Sequence, residues 1–264
     1  MALAHSRQLF PAHASVVVMA PLSILSCNIH KGFAFGNRSF TLHRLRDALR
    51  SVNPDVVFLQ EVVGEHRHHA ALRDDWPAPG QAEHLAEVHW PHVVYGANAQ
   101  HRHGHHGNAL LSKHPLLGST NHDVSNHRFE RRGLLHGIIN HDGHRIHLIC
   151  CHLDLTRWGR DRQIARLVAL IHSLPIAEPV IVAGDFNDWR GLVGTELIAA
   201  GLAEVHLGLH GRHAQTFPAW WPKLTLDRMY LRGLVPVEAK ALDNGAWRTL
   251  SDHVPLWCVA TLPE

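Results

Sequence analysis

Pro179-Val180-Ile181-Val182-Ala183-Gly184-Asp185-Phe186-Asn187-Asp188 is the stretch on which the reading of this chain turns. A proline opens a short apolar run, the pattern of a buried strand. The run then ends on an acid, an amide and a second acid. Near the C-terminus, Ser251-Asp252-His253 stands just before another apolar run, Val254-Pro255-Leu256-Trp257-Cys258-Val259. Two earlier runs end in the same manner. Leu25-Ser26-Cys27-Asn28-Ile29-His30 ends in Asn28 and His30, and Val56-Val57-Phe58-Leu59-Gln60-Glu61 ends in Glu61. Hard polar groups placed where buried strands end are what a metal-assisted hydrolase needs around its reacting atoms.

Helical periodicity lies between these runs. Leu42, Leu45, Leu49 and Val52 share one face, which predicts a helix over 41–52 capped by Ser39 or Thr41. A second helix is expected over 81–88. The clearest runs from 160 to 174, with Ile164, Leu167, Val168, Ile171 and Leu174 as its apolar stripe and Pro175 beyond it. A short helix is expected over 195–200. Further strands are expected over 108–112, 134–139, 145–152, 224–231, 235–242 and 254–262. This order points to an α/β architecture of mixed sheets with helices outside. With no low-complexity linker and no evident repeat, residues 22–264 are expected to form one catalytic domain after a flexible segment, 1–21.

The 264 residues carry 45% hydrophobic content and a net charge of +2, ordinary for a globular chain and weak for a nonspecific polyanion binder. Histidine is abundant, at 27 residues, so a histidine-rich surface would gain charge as pH falls toward ~6.5. Cys27, Cys150, Cys151 and Cys258 lie in apolar runs without zinc-finger spacing. They read as buried free thiols, and Cys150 and Cys151 should point to opposite faces of a strand. Free thiols and the absence of any bilayer-length apolar stretch suit a soluble cytoplasmic protein.

Glu61 at the end of an apolar strand must pair with a base, for example Arg132, or hold a cation, because a bare buried charge is too costly. With Asn28 and an Asp it makes an oxygen-rich, thiol-free set, which selects Mg²⁺ or Mn²⁺. Asp185 and Asn187 would share a face in extended geometry. Asp185 could then take a proton from water and Asn187 could donate to a phosphoryl oxygen; otherwise both form an Asx turn. His253 needs an orienter, for which Asp227 is the candidate unless it pairs with Arg228. His152 is a further donor.

Seven short motifs occur in one order: Cys27-Asn28-Ile29-His30-Lys31-Gly32, Leu59-Gln60-Glu61-Val62, Gly107-Asn108-Ala109-Leu110-Leu111-Ser112, Cys151-His152-Leu153-Asp154, Gly184-Asp185-Phe186-Asn187-Asp188, Leu226-Asp227-Arg228 and Ser251-Asp252-His253. Over residues 22–262 this order resembles the endonuclease/exonuclease/phosphatase superfamily, and most nearly its small bacterial metal-dependent hydrolases. The resemblance implies a four-layer sandwich, two mixed β-sheets face to face with helices outside. It implies Glu61 as main Mg²⁺ (or Mn²⁺) ligand, with Asn28 close by and Asp252 near the metal. Asp185 would prepare the water, Asn187 and His152 would donate to the phosphate, and His253 would be held by Asp227. Relatives that cut DNA at abasic sites carry an acid where His30 stands and a phenol where His152 stands, which turns the expectation away from abasic-site cleavage.

Beyond these, Arg132 and Asn108 are expected to contact substrate. His101-Arg102-His103-Gly104-His105-His106 reads as a polar loop at the rim, or else as a transition-metal site. Thr216-Phe217-Pro218-Ala219-Trp220-Trp221-Pro222 reads as a loop that either packs between sheets or walls the substrate. The expected activity is Mg²⁺-dependent phosphoester hydrolysis on a lipid head group or small phosphoester. DNA or RNA cleavage and non-catalytic phosphoester binding are the alternatives, and no protein partner and no membrane insertion are implied.

Overall fold

The computed structural model describes residues 20–78, 80–126 and 131–263. Most of the expected flexible segment lies outside these residues. Ala20, which is within them, is held: its N–H donates to Asp142, and its carbonyl lies 2.8 Å from His141 Nε2.

Two six-stranded sheets form the centre. The first has the order β11 (Val235–Ala241), β12 (Leu256–Thr261), β1 (Leu22–Asn28), β2 (Val56–His66), β4 (Gly104–Ser112), β3 (His92–His101). The second has β5 (Leu116–Asp123), β6 (Gly133–His141), β7 (His144–His152), β8 (Val180–Asp185), β10 (Asp227–Arg232), β9 (Ala203–Glu204). Each sheet holds one parallel pair at its middle, β1 with β2 and β7 with β8; the other pairings are antiparallel. A parallel pair needs a crossover, and helices α1 (Leu42–Val52) and α4 (Arg157–Ser173) provide them.

Side-chain alternation builds the layers. In β1 and β2, Leu22, Ile24, Val56 and Phe58 face the second sheet, while Leu25, Cys27, Val57 and Leu59 face α1 and α3 (Gln81–Ala86). In β7 and β8, Leu148, Cys150, Ile181 and Ala183 face the first sheet. Ile149, Cys151, Val180 and Val182 face α4 and α5 (Gly194–Ala199). The result is helix, sheet, sheet, helix, a DNase I-like α/β sandwich, with Cys150 and Cys151 on opposite faces as expected. All four cysteines are free and buried, and burial pushes the Cys150 thiol up to about 12. Among the described residues no helix is long and apolar enough to cross a membrane.

Several expectations need correction. Thr41 precedes α1 but does not cap it; its hydroxyl donates to the Gly32 and Leu250 carbonyls instead. β2 does not end at Glu61 but runs on to His66 through a bulge between Leu59 and Val62. The histidine stretch 101–106 is a β3–β4 hairpin rather than a polar loop. Strands β3 and β5, helices α2 (Arg67–Leu72) and α6 (Val205–His210), and the short β9 were not foreseen.

Many histidines are also less basic than a surface reading implies. Burial, then neighbouring cations, push His106, His136 and His206 down to about 4, and burial holds His152 well below its ordinary value. The folded chain therefore keeps these rings neutral while the unfolded chain protonates them near pH ~6.5. Stability from them is present above that pH and lost as pH falls from ~6.5 toward 4. The melting temperature is expected to drop steeply between pH 7 and pH 5, and His136→Gln with His206→Gln should flatten that slope. A melting temperature constant over this interval would contradict the assignment.

Candidate active site

The inter-sheet face turns polar where the central strands end. Continuing the alternation past the apolar core, Asn28, Gln60, His152 and Asp185 follow Ile24, Phe58, Cys150 and Ala183 on the face between the sheets, and Asp227 precedes Met229 on it. In the second sheet three of these stand side by side in register: His152 opposite Asp185, and Asp185 opposite Asp227. The first sheet meets them through Asn28, whose amide donates to Asp185 Oδ2 at 3.1 Å and to Glu61 Oε1 at 3.3 Å. The loop before β12 is tied in by Ser251, whose hydroxyl donates to the Asn28 carbonyl at 2.6 Å.

One cluster is an acid–base group. His253 Nδ1 lies 2.8 Å from Asp227 Oδ2, and His253 Nε2 lies 3.7 Å from Asp185 Oδ2. His152 Nε2 approaches the same Asp185 oxygen at 3.5 Å. All four residues are buried. Burial disfavours the His253 cation, but Asp227 and Asp185 outweigh it and push the ring up to about 10. Burial, with Asp227 adding to it, raises the Asp185 carboxyl above the usual carboxylate range against the pull of His253. Asp185, Asp227 and His253 are spaced as three ligands of an ion would be. With the His253 ring held protonated by its two carboxylates, the trio is also arranged for proton chemistry.

The second cluster is built on strain. Glu61 sits in the β2 bulge at φ 55°, and His30 and Lys31 follow β1 at φ 45° and 57°. Non-glycine residues pay to adopt this region and cluster where function demands it. The kink takes Glu61 out of the alternation and gives it to Lys31 Nζ at 2.9 Å. His30 Nδ1 lies 3.1 Å from Asp252 Oδ2 and 3.9 Å from Glu61 Oε2. Burial alone would raise the Glu61 carboxyl, but Lys31, through charge and a direct hydrogen bond, holds it below the usual range, while His152, neutral by burial, adds little. An ionised, partly exposed carboxylate set against an ammonium suits a hard divalent ion. Glu61 therefore fits such an ion, although Glu61, Asp252 and His30 do not close into a set with all three ligand atoms within 4.8 Å of one another.

Asn28 differs from expectation. Its oxygen accepts from the His30 N–H at 3.0 Å and its nitrogen spans two carboxylates, so it is placed as a strut rather than a ligand. Asn187 also departs from extended geometry. At φ 51° its N–H donates to Asp185 Oδ1 at 2.9 Å, an Asx turn, while its amide donates to the Leu153 carbonyl and lines the cleft. Asn108 does not reach the cleft. It is 1% exposed and its amide donates to the Gly133 and Cys150 carbonyls, tying the sheets together. Asp154 caps its own loop through Thr156.

The cleft, about 400 Å³, is lined by Glu61, Asp185, Asn187, His152, His253 and Arg132. Lys31, His106, Trp189 and Phe217 line it too. Lys31 and Trp189 were not foreseen as site residues, while His106 belongs to the stretch expected at the rim and Phe217 to the loop expected either to pack between sheets or to wall the substrate, its ring 5.0 Å from that of His253. The basic Lys31 beside Asn28-Ile29-His30 was the one available signal. Trp220 and Trp221 are both exposed, their rings stacked 6.1 Å apart.

Comparison with known proteins agrees with this fold. "Uncharacterized protein YbhP" of Escherichia coli K12 is 45% identical over 236 residues, 88% of this chain and 93% of its own. An endonuclease/exonuclease/phosphatase from Beutenbergia cavernae superposes with a TM-score of 0.75 at 21% identity, over 92% of this chain and 72% of that one. D. rerio TDP2 complexed with single-strand DNA product superposes at 0.69 and 20% identity, over 91% and 99%. The model of the Endonuclease/Exonuclease/phosphatase family matches residues 25–253. Strand order, strand-end chemistry and this match together place the chain in the Endonuclease/Exonuclease/phosphatase family.

Proposed function

We propose that residues 22–264 act as one catalytic domain, a divalent-metal-dependent hydrolase of phosphoester bonds. The observation that carries this reading is Asn28, which joins two carboxylate centres of opposite character. Asp185 is buried with a raised proton affinity, and Glu61 is held ionised beside Lys31.

A carboxyl with raised proton affinity is poised to accept a proton near neutrality. Water attacks phosphorus opposite the leaving oxygen, its proton passes to Asp185, and the phosphorus–leaving-oxygen bond breaks as the new one forms. The His253 imidazolium and the Asn187 amide face the cleft, where they meet charge growing on the phosphoryl oxygens. His152, neutral because burial disfavours its cation, donates a hydrogen bond without adding charge. Bound Mg²⁺ or Mn²⁺ would supply Lewis-acid polarisation of a phosphoryl oxygen, held by Glu61 and Asp252. Lys31 and Arg132 line the same cleft as fixed positive charge.

Net charge of +2 and the histidines at positions 30 and 152 favour a lipid head group or small phosphoester over long nucleic acid. Steep salt dependence of DNA cleavage would reverse that preference. Four buried thiols support a cytoplasmic setting.

Bis-(p-nitrophenyl) phosphate should be turned over with Mg²⁺ or Mn²⁺ and not after chelation. Glu61→Gln should weaken Mn²⁺ binding by at least about tenfold in calorimetry. Equal turnover after exhaustive chelation, or unchanged Mn²⁺ affinity in Glu61→Gln, would overturn the reading. Binding of phosphoesters without turnover under any divalent ion would favour a non-catalytic role.

A further inference from the structure

We infer that the substrate is a small phosphoester whose organic group carries a planar aromatic ring, and that a second cavity sharing walls with the cleft takes that ring. The inference rests on the phosphoester reading above and names the class of ester that site receives.

The second cavity, about 380 Å³, shares Lys31 and His106 with the cleft. Its volume lies at the lower end of the ~300–1,000 Å³ usual for small-molecule sites. It exists because β2 runs past the Glu61 bulge to His66 and the β3–β4 hairpin runs on beside it. α2 and the loop after it then bring His69 and Trp76 to the end of β2. Lys31 Nζ, 2.9 Å from Glu61 Oε2, stands where the two cavities meet. A phosphate held in the cleft therefore leaves its ester group within reach of the second cavity.

Rings make its walls. Trp76 lies over His69, with centroids 4.9 Å and planes 25° apart. The file continues from His69 to His66 at 4.0 Å, on to His101 at 5.3 Å and to His106 at 6.1 Å. Phe33, 5.4 Å from His69, adds another ring. The spacing is wrong for an ion: among the described residues only Asp185, Asp227 and His253 gather ligand atoms closely enough. Burial, then neighbouring basic groups, hold His66, His69 and His101 below their ordinary value, so these rings are neutral near neutrality. Neutral imidazole and indole faces attract another planar ring by offset stacking. An alkyl chain finds little here, because it would strip water from the imidazole nitrogens and return no hydrogen bond. The cavity thus selects a ring over a lipid tail. Asn37, exposed at the same cavity, offers an amide to the edge of a heterocycle.

Calorimetry on the full chain with Mg²⁺ tests this, with methyl phosphate, phenyl phosphate and thymidine 5′-monophosphate as probes. Phenyl phosphate should bind at least about tenfold more tightly than methyl phosphate, the scale of one base stacked on an aromatic side chain. Trp76→Ala and His69→Ala should each remove most of that preference while methyl phosphate binds as before. Trp76 also stacks on Phe40, so a wild-type measurement guards against a folding defect. Nuclear Overhauser contacts from the phenyl protons should reach the Trp76 and His69 rings. Thymidine monophosphate bound more tightly than phenyl phosphate would identify the ring as a nucleobase, and the reverse order as a simple aryl group. Phenyl phosphate bound no better than methyl phosphate, or contacts to Trp189 or Phe217 instead, would overturn the ring cavity and leave hydrolysis standing. Ring preference without turnover of any phosphoester would defeat the hydrolase reading alone.

Discussion

Asp185→Asn is expected to lower kcat/KM for bis-(p-nitrophenyl) phosphate by about 10³-fold while the melting temperature holds or rises. Asparagine keeps the shape but only one acceptor oxygen, so it retains the bond from the Asn28 amide or from the Asn187 N–H and loses the other, a loss set against the relieved burial of the anion. It removes the one group positioned to take the proton of water, and general-base catalysis is worth ~10²–10⁴. Charge near His253 and His152 is lost as well, so the higher part of that range applies. Stability should move the other way. Burial destabilises the Asp185 anion, and a neutral isostere relieves that cost at neutral pH and above. Steady-state kinetics together with calorimetric melting decide the matter. Activity within tenfold of wild type would remove Asp185 from the role of base, and a large fall in melting temperature would assign it a structural one.

Asp227→Asn is expected to cost about 10³-fold or more, through His253 rather than through substrate. An asparagine at this position can turn its N–H toward His253 Nδ1, now 2.8 Å from the carboxylate. The ring must then change tautomer or orientation, the logic by which an orienting carboxylate controls a catalytic imidazole. The His253 proton, held up to about 10 chiefly by Asp227 and Asp185 against burial, should come off at lower pH. Proton resonances of the ring, followed by NMR, should show that fall. The pH–rate profile should lose activity on its alkaline side earlier than wild type. An unchanged His253 titration would sink the proposed pairing even if activity fell.

The strands richest in information were the central ones. β1, β2, β7 and β8 are largely buried on both faces, so their composition announces them; β1, β7 and β8 end in Asn28, His152 and Asp185, whereas β2 passes Gln60 and Glu61 and runs on to His66. α4 was legible from its apolar stripe, although it begins earlier than periodicity suggests because Thr156 caps it. β3 and β5 escaped notice because they are sheet edges, half-exposed or exposed, and carry no apolar alternation. Glu61 was found, but its bulge was not, since nothing local marks a glutamate at positive φ. Asn28 and Asn108 were named without their geometry. Their amides bond partners as far as 157 positions away, and no sequence spacing encodes such pairings.

His152, Asp185 and Asp227 occupy neighbouring rungs of three adjacent strands. Their separation is thus set by a ruler that every sheet shares, ~4.8 Å per strand. Loops that supply Trp189 and Phe217 to the cleft can lengthen, shrink or change chemistry without disturbing that ruler. An ancestral chain could therefore have traded one ester for another by rewriting its connections alone. The same arrangement makes these three side chains a poor target for gradual tuning, because any shift there must slip a whole strand.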